Sequence, residues 1–197
     1  MGQAIDFDKL ARDEALVFLR LAPGDTVLPG EQSLLVRVEE EEWHCRAFPP
    51  WEEFTADGTG DWYAVNYRSM SQHIGFSDLI PYRIASIPGQ SFRLGFHADF
   101  SIRAAHVPGL LPLMRSQESM RVLDTMNALR APMQEKIVQV LESVVGCEPP
   151  ELKSITQKSE EIQKGVESAL FPLLYRNGLC MKPHTFLVRG FSPPMLR

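Results

Sequence analysis

The last fifth of the chain, residues 159–194, constrains the fold most, because it ties a long amphipathic helix to a strand through one glycine. Ile162, Val166, Ala169, Leu170, Leu173 and Leu174 recur at spacings of three and four, which lays one apolar stripe along a helix. Ser159 is placed to cap it, and Glu160 and Glu161 put negative charge in the first turn, where the helix dipole favours it. Asn177-Gly178 ends the helix, glycine being the residue best suited to the left-handed position past the last turn. Residues 179–189 are apolar and aromatic enough for a strand, and Ser192-Pro193-Pro194 stops it. A strand delivered in this way needs a sheet to join, and the upstream chain has to supply it.

It does so with a series of short extended segments. Residues 15–21 form a first strand, followed by turn chemistry at Pro23-Gly24-Asp25 and again at Pro29-Gly30. Val27 and Leu28, then residues 33–38, continue the strands. Four carboxylates at 39–42 read as a solvated hairpin end, since they lack the interleaved Asp, Asn and Gly of a cation loop. Residues 43–48 supply the partner strand, which Pro49-Pro50 breaks. After a loop at 55–61, further strands are expected over 62–67, 73–76 and 79–84, with Gly75 at a bend or bulge. Residues 91–102 carry the cleanest pattern. Phe92, Leu94, Phe96, Ala98, Phe100 and Ile102 take one face, while Arg93, His97, Asp99 and Arg103 take the other. Such a period of two predicts a long, half-buried strand.

From residue 107 the period becomes helical. One helix is expected over 108–115 and a longer one over 117–145. The longer helix has Val122, Met126, Leu129, Met133, Ile137, Val138 and Leu141 on its inner stripe and a segment start at Pro132. Gly146 stops it, and residues 151–158 connect to the closing helix. Strands first and helices last make an α+β order, expected as one mixed, curved sheet of about five to seven strands with the helices on one side. The boundaries read as an extension over 1–14, a domain over 15–194 and a tail over 195–197.

Composition removes several classes of function. A net charge of −5 leaves no basic patch for nucleic acid. Cys45, Cys147 and Cys180 are scattered and odd in number, so they read as reduced thiols of a cytoplasmic protein. The first residues lack the basic and apolar regions of a signal peptide, and no apolar run approaches the roughly 20 residues that span a bilayer. Any membrane contact is therefore expected at a surface or through a partner.

Candidate chemistry is sparse. The five histidines (His44, His73, His97, His106 and His184) fall at no ligand spacing such as HExxH, and no nucleophile elbow or cysteine-protease signature occurs. Neither a catalytic residue, a cofactor site nor a metal site is therefore expected. Met120, Met126 and Met133 are the candidate interaction residues, because methionines make adaptable contact surfaces; at helical spacing the same residues also suit a core.

The quoted pieces together resemble one family. LVFLRLAPGDTVLPGEQSLLVRVEEEE is similar to the opening of bacterial SPFH (band 7, stomatin–prohibitin–flotillin) proteins of the virion core protein-like branch. DWYAVNYRSMSQHIGFSDLIPYRI, FRLGFHADFSIRAAHVPGLLPLM and the closing helix–glycine–strand unit continue the resemblance in order, over about Ala15 to Pro194. The chain departs from the pattern at Glu40 to Glu42, where many members carry Gln and Ala. The resemblance implies an SPFH-like fold and a non-enzymatic scaffold. Such a scaffold self-associates, or docks on a related SPFH chain, in the cytoplasm or peripherally at the inner face of a membrane. Two other readings stand beside it: a small hydrolase or metal-dependent enzyme with a site near His97 and His184, and a structural component of a phage or virus-like particle.

Overall fold

The computed structural model describes residues 2–39, 42–46, 52–87, 89–146 and 149–191. Glu40, Glu41, Pro49-Pro50, Cys147, Pro193-Pro194 and the tail at 195–197 lie outside them. The protein is α+β, with several largely antiparallel sheets and six helices among the described residues. Its contacts divide the chain into two compact units. One holds Met1–Met70, Arg103–Ala128 and Tyr175–Cys180, and the other holds Ser71–Ile102, Leu129–Leu174 and Met181–Arg197.

The first unit is built on a five-stranded antiparallel sheet. It runs β10 (Ser119–Arg121), β2 (Leu16–Leu21), β7 (Asp61–Asn66), β4 (Ser33–Val38), β5 (Trp43–Arg46). A three-stranded sheet joins β1 (Ala4–Asp6), β3 (Thr26–Leu28) and β6 (Phe54–Thr55). The single curved sheet expected from sequence is thus replaced by separate sheets. The reason is that β7 and β10 occupy both sides of β2, so the segment after the Pro23-Gly24 turn pairs with β1 and β6 instead.

The first fourteen residues take part in this unit. Helix α1 (Phe7–Asp13) starts on Asp6, whose carboxylate accepts from the Lys9 amide at 3.0 Å, and it buries Phe7 and Ala11 with Leu21, Val27, Trp62 and Ala64. Asp8 is nearly buried and answered by Arg68 at 2.8 Å and Arg12 at 3.3 Å. Asn66, also buried, donates to the Leu16 carbonyl and accepts from the Arg68 amide, both at 2.9 Å.

The helix expected over 117–145 is interrupted. Met120 pairs with Phe18 as part of β10, and the Arg20 amide donates to the Glu118 carbonyl at 2.6 Å. Helical periodicity yields there to a long-range strand pairing. Two helices follow, α3 (Val122–Ala128) and α4 (Arg130–Val145); α2 (Val107–Met114) precedes them. Gly178 closes the first unit at φ +76°, where a Cβ would lie 2.3 Å from Leu110 Cγ and 2.9 Å from the Leu110 amide nitrogen. That position therefore needs glycine for both its backbone angle and its space.

In the second unit the central strand is β9 (Phe92–Ala104), with β8 (Met70–Tyr82) on one side. On the other side β11 (Leu179–Met181) and β12 (Leu187–Gly190) pair with different stretches of β9. The strand expected over 179–189 is split here. Pro183 offers no amide, His184 sits at φ +60°, and the Thr185 hydroxyl donates to the Lys182 carbonyl at 2.7 Å. That hydroxyl also receives the Ser101 amide at 3.1 Å, replacing a missing rung of the ladder. The segments expected at 73–76 and 79–84 are one strand, β8; its irregularity falls at Asp78 (φ +58°) rather than at Gly75.

Helix α4 buries Met133, Ile137 and Leu141, and ends on Gly146 at φ +91°. A short helix, α5 (Leu152–Gln157), leads into α6 (Ser159–Arg176). Ile162, Val166, Leu170 and Leu174 of α6 are fully buried, in line with the spacing of the sequence. Each such side chain contributes about 1.5–3 kcal/mol by leaving water.

Candidate functional site

The alternation of β9 sends Leu94, Phe96, Ala98, Phe100 and Ile102 into the core and leaves His97 and Asp99 on the opposite, partly open face. Neighbouring strands add to that face. Asp99 Oδ1 lies 2.7 Å from His73 Nδ1 on β8, and Arg189 Nε on β12 donates to Asp99 Oδ2 at 2.6 Å. A histidine, a carboxylate and a guanidinium thus form one row across three strands. The two hydrogen bonds, that from His73 first and that from Arg189 second, hold the Asp99 carboxyl below the usual carboxylate range. Since an ionised carboxylate only accepts, His73 Nδ1–H is the donor in this pair.

The His97 ring stacks on that of His73, with centroids 5.8 Å apart and planes 20° from parallel. Gly75 makes room for the pair. A Cβ there would lie 2.8 Å from His97 Nδ1, 3.1 Å from His97 Cε1 and 3.6 Å from His73 Nε2. Arg130 fixes the strand at the same point, donating to the Gly75 carbonyl at 2.5 Å and lying 4.8 Å from the centre of the Phe76 ring. His73 and His97 thus lie side by side over Gly75.

The main chain of β8 has its own significance. Ser101 turns its amide and carbonyl toward Thr185 and Lys182, so Asp99, two residues earlier, faces the same way. His73 lies across from Asp99 on the other side of β9, and its main-chain groups therefore point away from β9, as does the Gly75 carbonyl that Arg130 reaches. Among the described residues β9 is the strand partner of β8, which leaves this 13-residue strand at an edge.

Other residues singled out from sequence lie elsewhere. Met120 on β10, Met126 on α3 and Met133 on α4 are buried, and their thioethers fill the interior of the folded chain, as the core reading of the same residues has it. His184 is exposed in the turn between β11 and β12, whereas the ring against His97 is that of His73, and the nearby carboxylate is Asp99. Cys180 is half-buried on β11.

Among the described residues the group of three or more potential metal ligands is Glu39, Glu42 and His44, all exposed, with Glu39 held by Arg37 at 2.8 Å. His73, Asp99 and Arg189 escaped the sequence reading; the shared spacing of His73-x-Gly75 and His97-x-Asp99 was the available signal, and it acquires meaning only with the strand register. No helix among the described residues is long and apolar enough to cross a membrane. No known protein family matches the chain, and no curated protein matches it.

Proposed function

We propose that this chain is an assembly module of SPFH type, a scaffold without catalytic chemistry of its own, which pairs with a second copy of itself along β8. The observation that carries the proposal is the β8 edge, 13 residues long and paired on one side among the described residues. Protein edges are usually short or guarded by lysine, proline and bulges. In β8 the guards are Asp78, at its irregular φ, and Pro81, both in the C-terminal half, and the Arg130 guanidinium, which takes the outward Gly75 carbonyl and leaves Ser71 to His73 as the open part of the edge. The stretch Ser71-Gln72-His73-Ile74-Gly75-Phe76 carries neither lysine, arginine nor carboxylate. A twofold antiparallel pairing of this stretch with itself brings no like formal charges together with His neutral, which favours a second copy as its occupant.

The order of elements supports the SPFH comparison. Strands precede the longer helices, and α6 passes through Gly178 into β11 against β9. Residence in the cytoplasm, with peripheral contact at the inner face of a membrane, belongs to the same reading.

Sedimentation equilibrium at rising concentration tests it. The wild-type mass should climb above the 22.3 kDa of one chain. Ser71→Pro, which removes an outward amide and no bond to β9, should hold the chain at one copy, since proline is tolerated on an edge but blocks strand addition. A wild type that stays monomeric at high micromolar concentration, or a proline variant that assembles like it, would overturn the proposal.

A further inference from the structure

What already occupies the β8 edge restricts how a second copy can pair with it. Ser71, His73 and Gly75 turn their main-chain groups outward, and two of their three carbonyls are engaged. The Gly75 carbonyl takes the Arg130 guanidinium at 2.5 Å, and the Ser71 carbonyl takes the side-chain amide of Gln72 at 2.6 Å. The two caps differ in kind. Arg130 belongs to α4 and also lies 4.8 Å from the centre of the Phe76 ring, so the fold holds it in place. Gln72 reaches back from the edge strand to its own neighbour, and rotation about its side-chain bonds is enough to withdraw it.

Antiparallel strands set outward residue against outward residue, so a twofold axis must pass through a residue of β8. An axis at His73 sets Ser71 against Gly75, and an axis at Ile74 sets His73 against Gly75. Both need the carbonyl that Arg130 holds. An axis at Ser71 leaves His73 opposite residue 69, outside the strand, which begins at Met70. An axis at Gln72 sets Ser71 of each copy against His73 of the other and uses no group of Gly75. We infer that two copies meet with Gln72 on the twofold axis, and that its side chain is a latch on this edge. Closed, the latch restrains pairing; withdrawn, it yields the Ser71 carbonyl to the His73 amide of the second copy. The inference rests on the β8 pairing proposed above and adds its register and its restraint.

Cysteine cross-linking of the full chain under mild oxidation tests the register. On the axis the two copies of residue 72 form a non-hydrogen-bonded pair with Cα atoms about 4.5 Å apart, within the span of about 4.4–6.8 Å that a disulfide bridges. Residues 71 and 73 meet their own copies only on the diagonal, at about 7–8 Å, beyond that span. Gln72→Cys should therefore give a linked dimer, with peptide mass mapping placing the bond at residue 72, while Ser71→Cys and His73→Cys should not. The wild type, with Cys45, Cys147 and Cys180, is the control for background linkage. Sedimentation equilibrium tests the latch. Gln72→Ala and Gln72→Met both lack the amide donor, one without its bulk and one with it. Each should tighten self-association about 5-fold, since a pair of chains releases two caps. Circular dichroism of each variant establishes that the fold persists. A disulfide at His73→Cys in place of Gln72→Cys, or a Gln72→Ala chain that associates no more tightly than wild type, overturns the inference and leaves the β8 pairing standing. A wild type that stays monomeric, with no disulfide at any of the three positions, overturns both.

Discussion

Replacing Gly178 by alanine probes the closing helix–glycine–strand unit at its tightest point. Two costs add. At φ +76° an L-residue with a side chain pays about 1–2 kcal/mol for its left-handed backbone. The new methyl would also stand 2.3 Å from Leu110 Cγ and 2.9 Å from the Leu110 amide nitrogen. The leucine side chain can move aside, but the nitrogen belongs to α2 and cannot, so an overpacking cost of about 1–3 kcal/mol follows.

The sum, about 2–5 kcal/mol, is a large part of the 5–15 kcal/mol that typically separates folded from unfolded domains. With a mid-range urea slope of about 2 kcal/mol/M, the unfolding midpoint should fall by about 1–2.5 M. Gly58→Ala, with neither a positive φ nor a neighbour within 4 Å, is the control and should change stability by less than about 1 kcal/mol. A loss below about 0.5 kcal/mol for Gly178→Ala would refute the close approach between Gly178 and α2.

Three further outcomes are expected. Met133→Ala should destabilise by about 2–5 kcal/mol in urea unfolding, because a fully buried thioether leaves a cavity, and Met126→Glu should unfold the chain rather than selectively weaken its assembly. Asn66→Leu should cost about 1–3 kcal/mol for each main-chain group it strands, the Leu16 carbonyl and the Arg68 amide, again read from the urea midpoint. Asp57 is held below the usual carboxylate range by the Thr59 hydroxyl first and by Trp62 Nε1 second. A depressed folded value gives a contribution that is complete above the unfolded value of about 3.9 and disappears as pH falls through the folded one, so Asp57→Asn should flatten the acid limb of the stability profile below about pH 4.

Sequence periodicity made the two most regular elements legible. In β9 the core lies on one face, so the alternation of Leu94, Phe96, Ala98, Phe100 and Ile102 could be read directly. In α6 the stripe from Ile162 to Leu174 and the stop at Gly178 were local signals as well. Features set by distant partners were not legible. Ser119 to Arg121 fit a helical stripe, yet they pair with β2, about a hundred residues away in the chain. Helix α1 is only seven residues long and too short to show a period, so its packing through Phe7 was hidden. The same limit applied to the site. His73 and His97 belong together only because β8 and β9 are adjacent, and Gly75, which looked like a bend, is kept small by the ring that lies over it.

The central claim, that copies of this chain join along β8, is tested most directly by amide hydrogen exchange resolved by residue at two protein concentrations. The amides of Gln72 and Ile74 face β9 and should be protected at both, whereas those of Ser71 and His73 face outward and should gain protection only where the chain assembles. Protection of Ser71 and His73 that rises with concentration and vanishes in Ser71→Pro at His73 is the predicted result. Fast exchange of both outward amides in a sample that sedimentation shows to be oligomeric would contradict the claim and place the interface elsewhere.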